Sequence, residues 1–402
     1  MRRYQLTAFT RSVLTPVLAC TVLACSKPKE TKYDPGVTDT EIKIGQTMPY
    51  SGPASAYGTI GRVQAAYFKR LNETGGINNR KINFVSVDDA YSPPKAVEQV
   101  RKLVEEDQVL AIFQPLGTPS NTAIQKYLNT KKVPQLFVSS GATKWGDPTG
   151  NPWTIGFNPS YQLEAKTYAE HLLKKHPTSK VAVLFQNDDF GKDYLKGLKD
   201  TLGAKASMIV KEVSYEVTDA TIDSQMATLQ AAGADVFFNI ATPKFAAQAI
   251  RKAFDSGWKP VQYLSNVSAS VGAVLTPAGL DKSVGVITTG YLKDPTDKQW
   301  DNDPAMKEYF AFLDKYYPEG KKIDAGNLYG YVAAQTLEQV LKQCGDDLTR
   351  ANVMKQAASL KNFAPPLLQP GISINTGADD FFLFDKLMLS KFNGTNYELL
   401  ND

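Results

Sequence analysis

Histidine and cysteine are scarce in this chain, with two and three copies among 402 residues. That leaves little material for a His/Cys metal site, a histidine-dependent catalytic triad or a disulfide framework. Charge of one sign is also lacking. Lys+Arg number 45 against Asp+Glu 41, and three of the basic residues (Arg2, Arg3, Arg11) fall in an acid-free N-terminal stretch. The nearly neutral remainder excludes the phosphate-neutralising field of a nucleic-acid binder. The apolar run Ser12–Ala24 has 13 residues, short of the roughly 20 that cross a bilayer. G-x-x-x-x-G-K-[ST], G-x-G-x-x-G after a strand, H-E-x-x-H and G-x-S-x-G are all missing, which removes the common phosphate-cradling, zinc-protease and serine-hydrolase signatures.

What is present is an export signal and an ordinary globular body. Hydrophobic residues are 43% and charged residues 21%, and the length suits two or more domains of roughly 100–200 residues. Residues 1–24 read as a signal peptide, with a basic start and a short apolar core. The core ends in Val22-Leu23-Ala24-Cys25, followed by Ser26-Lys27-Pro28-Lys29, the form of a bacterial lipobox. Val17-Leu18-Ala19-Cys20 has the same form but would leave a much shorter apolar core. Cys25 is therefore the expected lipidation site, and residues 25–40 a lipid-anchored tether. With Cys20 removed and Cys25 acylated, Cys344 alone remains, so no disulfide forms within the chain. Cys344 ends an apolar-periodic helix and reads as a small buried hydrophobe.

From Glu41 onward, short apolar runs alternate with amphipathic stretches. Strands are expected at Ile42–Met48, Ile82–Val87, Leu110–Phe113 and Gln135–Val138, with helices at Ser55–Glu73, Lys95–Glu106 and Asn121–Thr130 between them. After Gly150–Pro159 the rhythm restarts, from the helix Tyr161–Lys175 to a strand at Val284–Thr289. Such alternation implies βαβ units and parallel sheets. The expected fold is α/β, with two doubly wound lobes. Three further helices follow Tyr291, and short strands around Asn393-Gly394 carry a hairpin signal, so the chain is expected to cross between lobes more than once.

Ligands of open α/β sheets gather at strand C-termini. Three segments there are small and polar: Pro49-Tyr50-Ser51-Gly52, Gln114 to Asn121 (with Leu116, Gly117, Thr118 and Ser120), and Ser139-Ser140-Gly141-Ala142-Thr143. Amides at a helix start together with hydroxyls make an anion cradle without arginine. His171 and His176, near one helix C-terminus, read as surface residues. Asp88-Asp89 read as solvated or capping acids. No metal and no cofactor are expected.

At these residues the chain resembles the solute-binding proteins of bacterial ABC importers, of the leucine/isoleucine/valine-binding type with the type I periplasmic-binding fold. The resemblance rests on Val37-Thr38-Asp39-Thr40-Glu41-Ile42-Lys43-Ile44-Gly45, Ser51-Gly52-Pro53, Gly75-Gly76-Ile77-Asn78, Arg101-Lys102-Leu103-Val104 and Ser140-Gly141-Ala142-Thr143. It implies two lobes joined by a three-crossing hinge: 41–157 plus 291–371, and 158–290 plus 372–402, with crossings near Phe157–Pro159, Thr289–Tyr291 and Gly371–Asn375. Carboxylate-binding loops would be Leu116–Asn121 and Gly141–Thr143, Tyr57 a first-lobe aromatic wall, Phe190 the second-lobe aromatic closing over ligand, and Tyr291 an aromatic near the second crossing. Trp145, Tyr161 and Phe245 add candidate walls. Amino-acid-binding members carry a Glu after the strand matching Val236–Ile240. Here Lys244 or Phe245 takes that place, so the expected ligand is a small carboxylate with an apolar or aromatic body, ahead of an amino acid whose ammonium another acid (Glu164 or Asp189) would hold. Implied partners are the permease subunits of an importer. The protein is expected to be a monomeric, non-enzymatic, membrane-anchored lipoprotein of the periplasm or cell surface. A ligand sensor regulating another protein would use the same cleft.

Cys25→Ala is expected to leave the protein unacylated with its fold intact. Mass spectrometry finding an intact Met1, or lipid on Cys20, would contradict the assignment.

Overall fold

In Glu41–Met48, Ile42 and Ile44 are fully buried while Glu41 and Lys43 reach toward solvent, the two-residue period of a strand. This strand seeds the first of two large sheets in the computed structural model, which describes residues 1, 2, 4, 5 and 32–400; Lys32–Tyr33 and Asp347–Leu348 pair separately. Most of the signal, with Cys20 and Cys25, lies outside the described residues.

The chain runs β1 (Lys32–Tyr33), β2 (Glu41–Met48), α1 (Gly58–Glu73), β3 (Lys81–Asp88), α2 (Pro93–Glu105), β4 (Ala111–Phe113), α3 (Thr118–Lys131), β5 (Gln135–Val138) and β6 (Thr154–Gly156). Strands β2 to β6 form a parallel sheet in the order β3-β2-β4-β5-β6. Helix α1 stops at Thr74-Gly75-Gly76, where Gly76 has φ +72° and a Cβ would sit 2.0 Å from the Arg80 carbonyl oxygen. Only glycine fits that turn. Strand β6 lies inside Gly150–Pro159, where no strand was expected. Its three residues are too few to show a period.

The chain then enters a second lobe: α4 (Tyr161–Lys175), β7 (Val181–Gln186), α5 (Asp189–Leu202), β8 (Ile209–Tyr215), α6 (Asp223–Ala231), β9 (Val236–Ile240), α7 (Pro243–Asp255), β10 (Val261–Leu264), a π-turn at Val271–Leu275 running into α8 (Thr276–Ala278), and β11 (Ile287–Gly290). It returns to the first lobe for α9 (Pro304–Tyr316), α10 (Ala325–Cys344), β12 (Asp347–Leu348) and α11 (Arg350–Ala357). It ends in the second lobe with β13 (Met388–Phe392) and β14 (Tyr397–Leu399). The second sheet has the order β14-β13-β11-β10-β9-β7-β8, parallel except for β13 and β14. Helices cover both faces of each sheet: α2 and α3 lie opposite α1 and α10, and α4 and α5 opposite α6 and α7. The fold is α/β with two doubly wound lobes, as the strand and helix rhythm required.

Three differences from the sequence reading have simple causes. Helix α3 begins at Thr118, earlier than the expected Asn121. Its first turn is polar, and the apolar period starts only afterwards. The third crossing falls later than residue 371. Ile372, Ile374, Phe381, Leu383 and Phe384 are buried in the first-lobe core, and Phe363 pairs with Ile374. This irregular segment has no period to reveal where it packs. His171 is not a surface residue: it is buried, with Nδ1 2.6 Å from the Tyr263 hydroxyl. Cys344 is buried, which pushes its thiol up to about 12. Among the described residues no helix is long and apolar enough to cross a membrane.

Arg350 ties α11 to the start of β4. Its Nε donates to the Leu110 carbonyl at 3.0 Å and its Nη2 to that of Val109 at 2.8 Å, while its backbone N–H donates to Asp34 at 2.7 Å. Arg350→Ala is expected to lower the unfolding free energy by about 2 kcal/mol, since two carbonyls lose a charged donor. A shifted urea midpoint at unchanged slope is the check.

Candidate functional site

Every parallel strand releases its chain at the C-terminal edge, and the two edges face each other. Between them lies a cavity of about 150 Å³. Its first-lobe wall comes from Ala56, Tyr57, Thr59, Ile60, Tyr91, Leu116 to Thr118, Ser139 and Tyr329, and its second-lobe wall from Tyr161, Phe190, Thr242, Pro243, Asn266, Val267 and Thr288 to Gly290, with Tyr291 at the second crossing. Asn158, on the first crossing, also lines it.

Of the residues singled out in the sequence, Tyr57, Leu116, Gly117, Thr118, Tyr161, Phe190 and Tyr291 meet at this cavity. Helix α3 opens there with Gly117 at its N-cap and no side chain capping it. Gly117 N–H donates to the Ser139 carbonyl at 3.2 Å and Pro119 has no N–H, so the open donors of the first turn are the Thr118 and Ser120 amides. The Thr118 hydroxyl is 2.7 Å from Ser140 Oγ and 3.5 Å from the Tyr161 hydroxyl. Phe190 and Tyr161 pack with ring centroids 4.8 Å apart, and burial pushes the Tyr161 phenol up to about 12.

The other candidates stand elsewhere. Ser51 donates to Asp88 on an exposed turn at 2.5 Å. Ser120 is buried one helical step behind Thr118. Gly141 packs on Tyr161, whose ring a Cβ would approach to 2.7 Å; it thus shapes the wall without lining it. Ala142 is buried beside it. Thr143 turns away to Asp193, which accepts from its backbone N–H at 2.7 Å and its hydroxyl at 2.9 Å. Trp145 is core, its indole N–H on Ser140 Oγ at 2.9 Å. Lys244 is exposed and donates to the Asp219 carbonyl at 3.1 Å. Phe245 is buried against Tyr215, ring centroids 4.4 Å apart. Helix α7 begins at Pro243, and its rotation sends residue 244 outward and 245 into the core, leaving Thr242 and Pro243 at the cavity.

Several cavity residues were not anticipated. Asp294 and Asp324 line it, and burial raises both carboxyls above the usual range. Asp294 accepts from the Thr296 N–H and hydroxyl, and Asp324 from Gly326 N–H and Ser270 Oγ. Lys293 lines it too but is paired with Asp303 at 2.6 Å. These groups arrive with the segment after β11, far along the chain from the loops that signalled the site. Asp88 and Asp89 act as caps: Asp88 Oδ1 accepts from the amides of Tyr50, Ser51 and Ala90, and Asp89 Oδ1 from that of Tyr91.

The lobes also touch each other directly, at the cavity and beside it. Lys144 meets Asp189 at 2.6 Å, the Tyr57 hydroxyl donates to the Val267 carbonyl at 3.1 Å, and Ser270 Oγ donates to Asp324 at 2.9 Å. Asp189 is thereby committed to Lys144, which holds its carboxyl below the usual range.

Glu164 lies behind the second-lobe wall, accepting from the Asn266 amide at 2.6 Å and lying 3.1 Å from the Tyr168 hydroxyl. Burial pushes its carboxyl from 4.5 up to about 7, against the pull of the Asn266 amide. Between those two values the folded chain holds more protons than the unfolded chain. Stability from this group therefore falls as pH rises from 4.5 to about 7 and is level above. Glu164→Gln keeps an acceptor for Asn266 without the charge. It is expected to stabilise the protein by about 1–3 kcal/mol at pH 8 and by little at pH 5, as compared by thermal unfolding at the two pH values.

Comparison with known proteins places this architecture. A Brucella abortus Leu/Ile/Val-binding protein homolog 1 is 28% identical over 330 residues, spanning 80% of this chain and 84% of its own. The solved structure of a fatty acid ABC transporter substrate-binding protein from Thermomonospora curvata is 25% identical, with TM-score 0.78, over 93% of this chain and 94% of its own. A branched chain amino acid ABC transporter structure from Thermus thermophilus with bound valine shares the fold at 15% identity, TM-score 0.80, over 91% and 97%. The model of the family described as periplasmic binding protein matches residues 41–383, and the chain belongs to that family.

Proposed function

We propose that this protein is the extracytoplasmic capture component of an ABC importer, binding a small carboxylate with an apolar or aromatic body by closure of its two lobes. The observation that carries the reading is the uncapped N-terminus of α3. Its open amides and the Thr118 hydroxyl meet a cavity walled by Tyr57, Tyr161, Phe190 and Tyr291. A helix N-terminus favours an anion, and hydrogen bonds to a charged group contribute about 1.5–3 kcal/mol each. Among the described residues no arginine lines the cavity, and Lys293 is already paired, so backbone and hydroxyl donors carry the anion. A cavity of about 150 Å³ holds a single benzene ring, which sets the scale of the ligand body. The ligands named for the relatives, valine and fatty acids, share a carboxylate and little else.

A second reading rests on Asp294 and Asp324. Two buried carboxylates without a cationic partner in the cavity wall favour a ligand ammonium, which makes an amino acid the rival. No acid stands at the family's usual place, matched by Lys244 or Phe245, and that stretch presents Thr242 and Pro243 to the cavity, so the ammonium would be held from the first lobe and the second crossing.

The proposed setting is the periplasm or cell surface, with Cys25 acylated, the protein monomeric, no reaction catalysed, and permease subunits as the protein partners. Calorimetric titration of matched pairs tests the ligand: 4-methylpentanoate beside leucine, and 3-phenylpropanoate beside phenylalanine. Micromolar or tighter binding of a des-amino acid is expected. Leucine binding at that level with no response to either des-amino acid would overturn the carboxylate reading in favour of the amino acid. Small-angle scattering on refolded protein should show a smaller radius of gyration with the binding acid, and an unchanged radius at saturation would count against closure.

A further inference from the structure

We propose that Tyr91 is a specificity-determining residue that sets the upper size limit of the ligand. The proposal rests on the reading of the inter-lobe cavity as the binding site and goes beyond it by naming the wall that limits it.

Tyr91 stands in the short turn between β3 and α2. Ala90 and Tyr91 both have positive φ, 52° and 58°, a region that alanine and bulky aromatics seldom enter. Each amide of this pair is held by the carboxylate two residues before it, Ala90 by Asp88 at 3.0 Å and Tyr91 by Asp89 at 2.9 Å. A connection between a strand and a helix needs no such backbone, and bulky residues held there are found at active sites, ligand clamps and switch regions. Its effect is to turn the Tyr91 side chain inward. The residue is only 6% exposed and lines the cavity.

The ring lies against Gly117, immediately before Thr118. A Cβ on Gly117 would come 2.4 Å from Tyr91 Cε2, so the glycine and the ring occupy each other's space. The ring therefore borders the α3 amides that receive the carboxylate. Its hydroxyl reaches the other lobe, 3.5 Å from Gln186 Nε2, and Gln186 is itself held by Asp188 at 2.6 Å. Tyr91 thus spans the cleft beside the cradle as a fixed wall. Removing its phenol frees a volume comparable to the benzene-sized space that about 150 Å³ represents.

The test measures calorimetric binding of benzoate and 1-naphthoate, and of neutral benzene and naphthalene, to the full-length protein and to Tyr91→Ala, Tyr91→Leu and Tyr91→Phe. The unsubstituted protein is expected to prefer the single-ring member of each pair by tenfold or more. Tyr91→Ala should reverse that order, Tyr91→Leu should narrow it, and Tyr91→Phe should keep it with a few-fold weaker binding. Tyr91→Leu decides the matter if Tyr91→Ala does not fold by circular dichroism. An unchanged single-ring preference in a folded small-residue variant would overturn the proposal. If benzene and naphthalene follow the expected order while neither acid binds, the size wall stands and the carboxylate reading fails. If nothing binds any of the proteins, both fall.

Discussion

The Tyr168 hydroxyl is where the second lobe, the second crossing and the cavity wall are joined. It accepts from the Thr289 amide at 2.8 Å, lies 2.8 Å from the Leu264 carbonyl and 3.1 Å from Glu164. One buried phenol so ties α4 to the ends of β10 and β11, the two strands that lead directly into Asn266 and Tyr291. A buried amide or carbonyl without a partner costs several times what a formed hydrogen bond contributes. The strand ends therefore stay where the phenol holds them, and the wall made by Asn266, Thr288 and Thr289 is fixed before any ligand arrives. Glu164 completes this cluster through the Asn266 amide, so its protonation is coupled to the same wall.

The charges around the cavity fall into two kinds. Lys293 with Asp303, and Lys144 with Asp189, are compensated pairs and leave little field in the cavity. Asp294, Asp324 and Glu164 are carboxyls whose partners are amides and hydroxyls. Burial raises the pKa of all three, because desolvation disfavours the charged form when no cation stands near. The positive end of the cavity is made of backbone, at α3, and the negative end of side chains that arrive from the other crossing. A dipolar ligand would lie along that axis, and a simple carboxylate would use only its positive end.

The parallel-sheet rhythm made both lobes legible, since βα alternation fixes the layers and places ligands at strand C-termini. Leu116 to Thr118 follow from that rule, whereas Tyr57 and Phe190 were implied by the family resemblance. It does not fix the rotation of a helix in its first turn, which decided that Phe245 enters the core and Lys244 leaves it. Nor does it tell which of two small-residue loops keeps its donors free: Gly141 to Thr143 spends its donors on Ser140 and on Asp193 of the opposite lobe. Tyr91 was invisible because nothing in Ala90-Tyr91 announces positive φ. The acids Asp294 and Asp324 reach the cavity through tertiary folding from segments without a period of their own, as does the late third crossing.

The ion pair and hydrogen bonds at the rim of the two lobes are polar, and the ion pair is close to solvent. The side chains of Lys144 and Asp189 are 31% and 53% exposed, and exposed ion pairs contribute about 0–1 kcal/mol. Thr143 with Asp193 and Ser270 with Asp324 add hydrogen bonds whose partners would be hydrated in an open form, so their net contribution is small too. Closure therefore cannot rest on these latches alone. A ligand shifts the equilibrium only by its differential affinity for the closed form, so contacts confined to the α3 amides and Thr118, present on one lobe whether open or closed, would shift nothing. Under the proposed closure, the decisive groups would be those the second lobe adds, Phe190, Thr242 and Asn266, meeting a ligand held first at α3. Any molecule this protein captures must touch both edges at once, and that requirement is what converts a small, weakly latched cavity into a selective one.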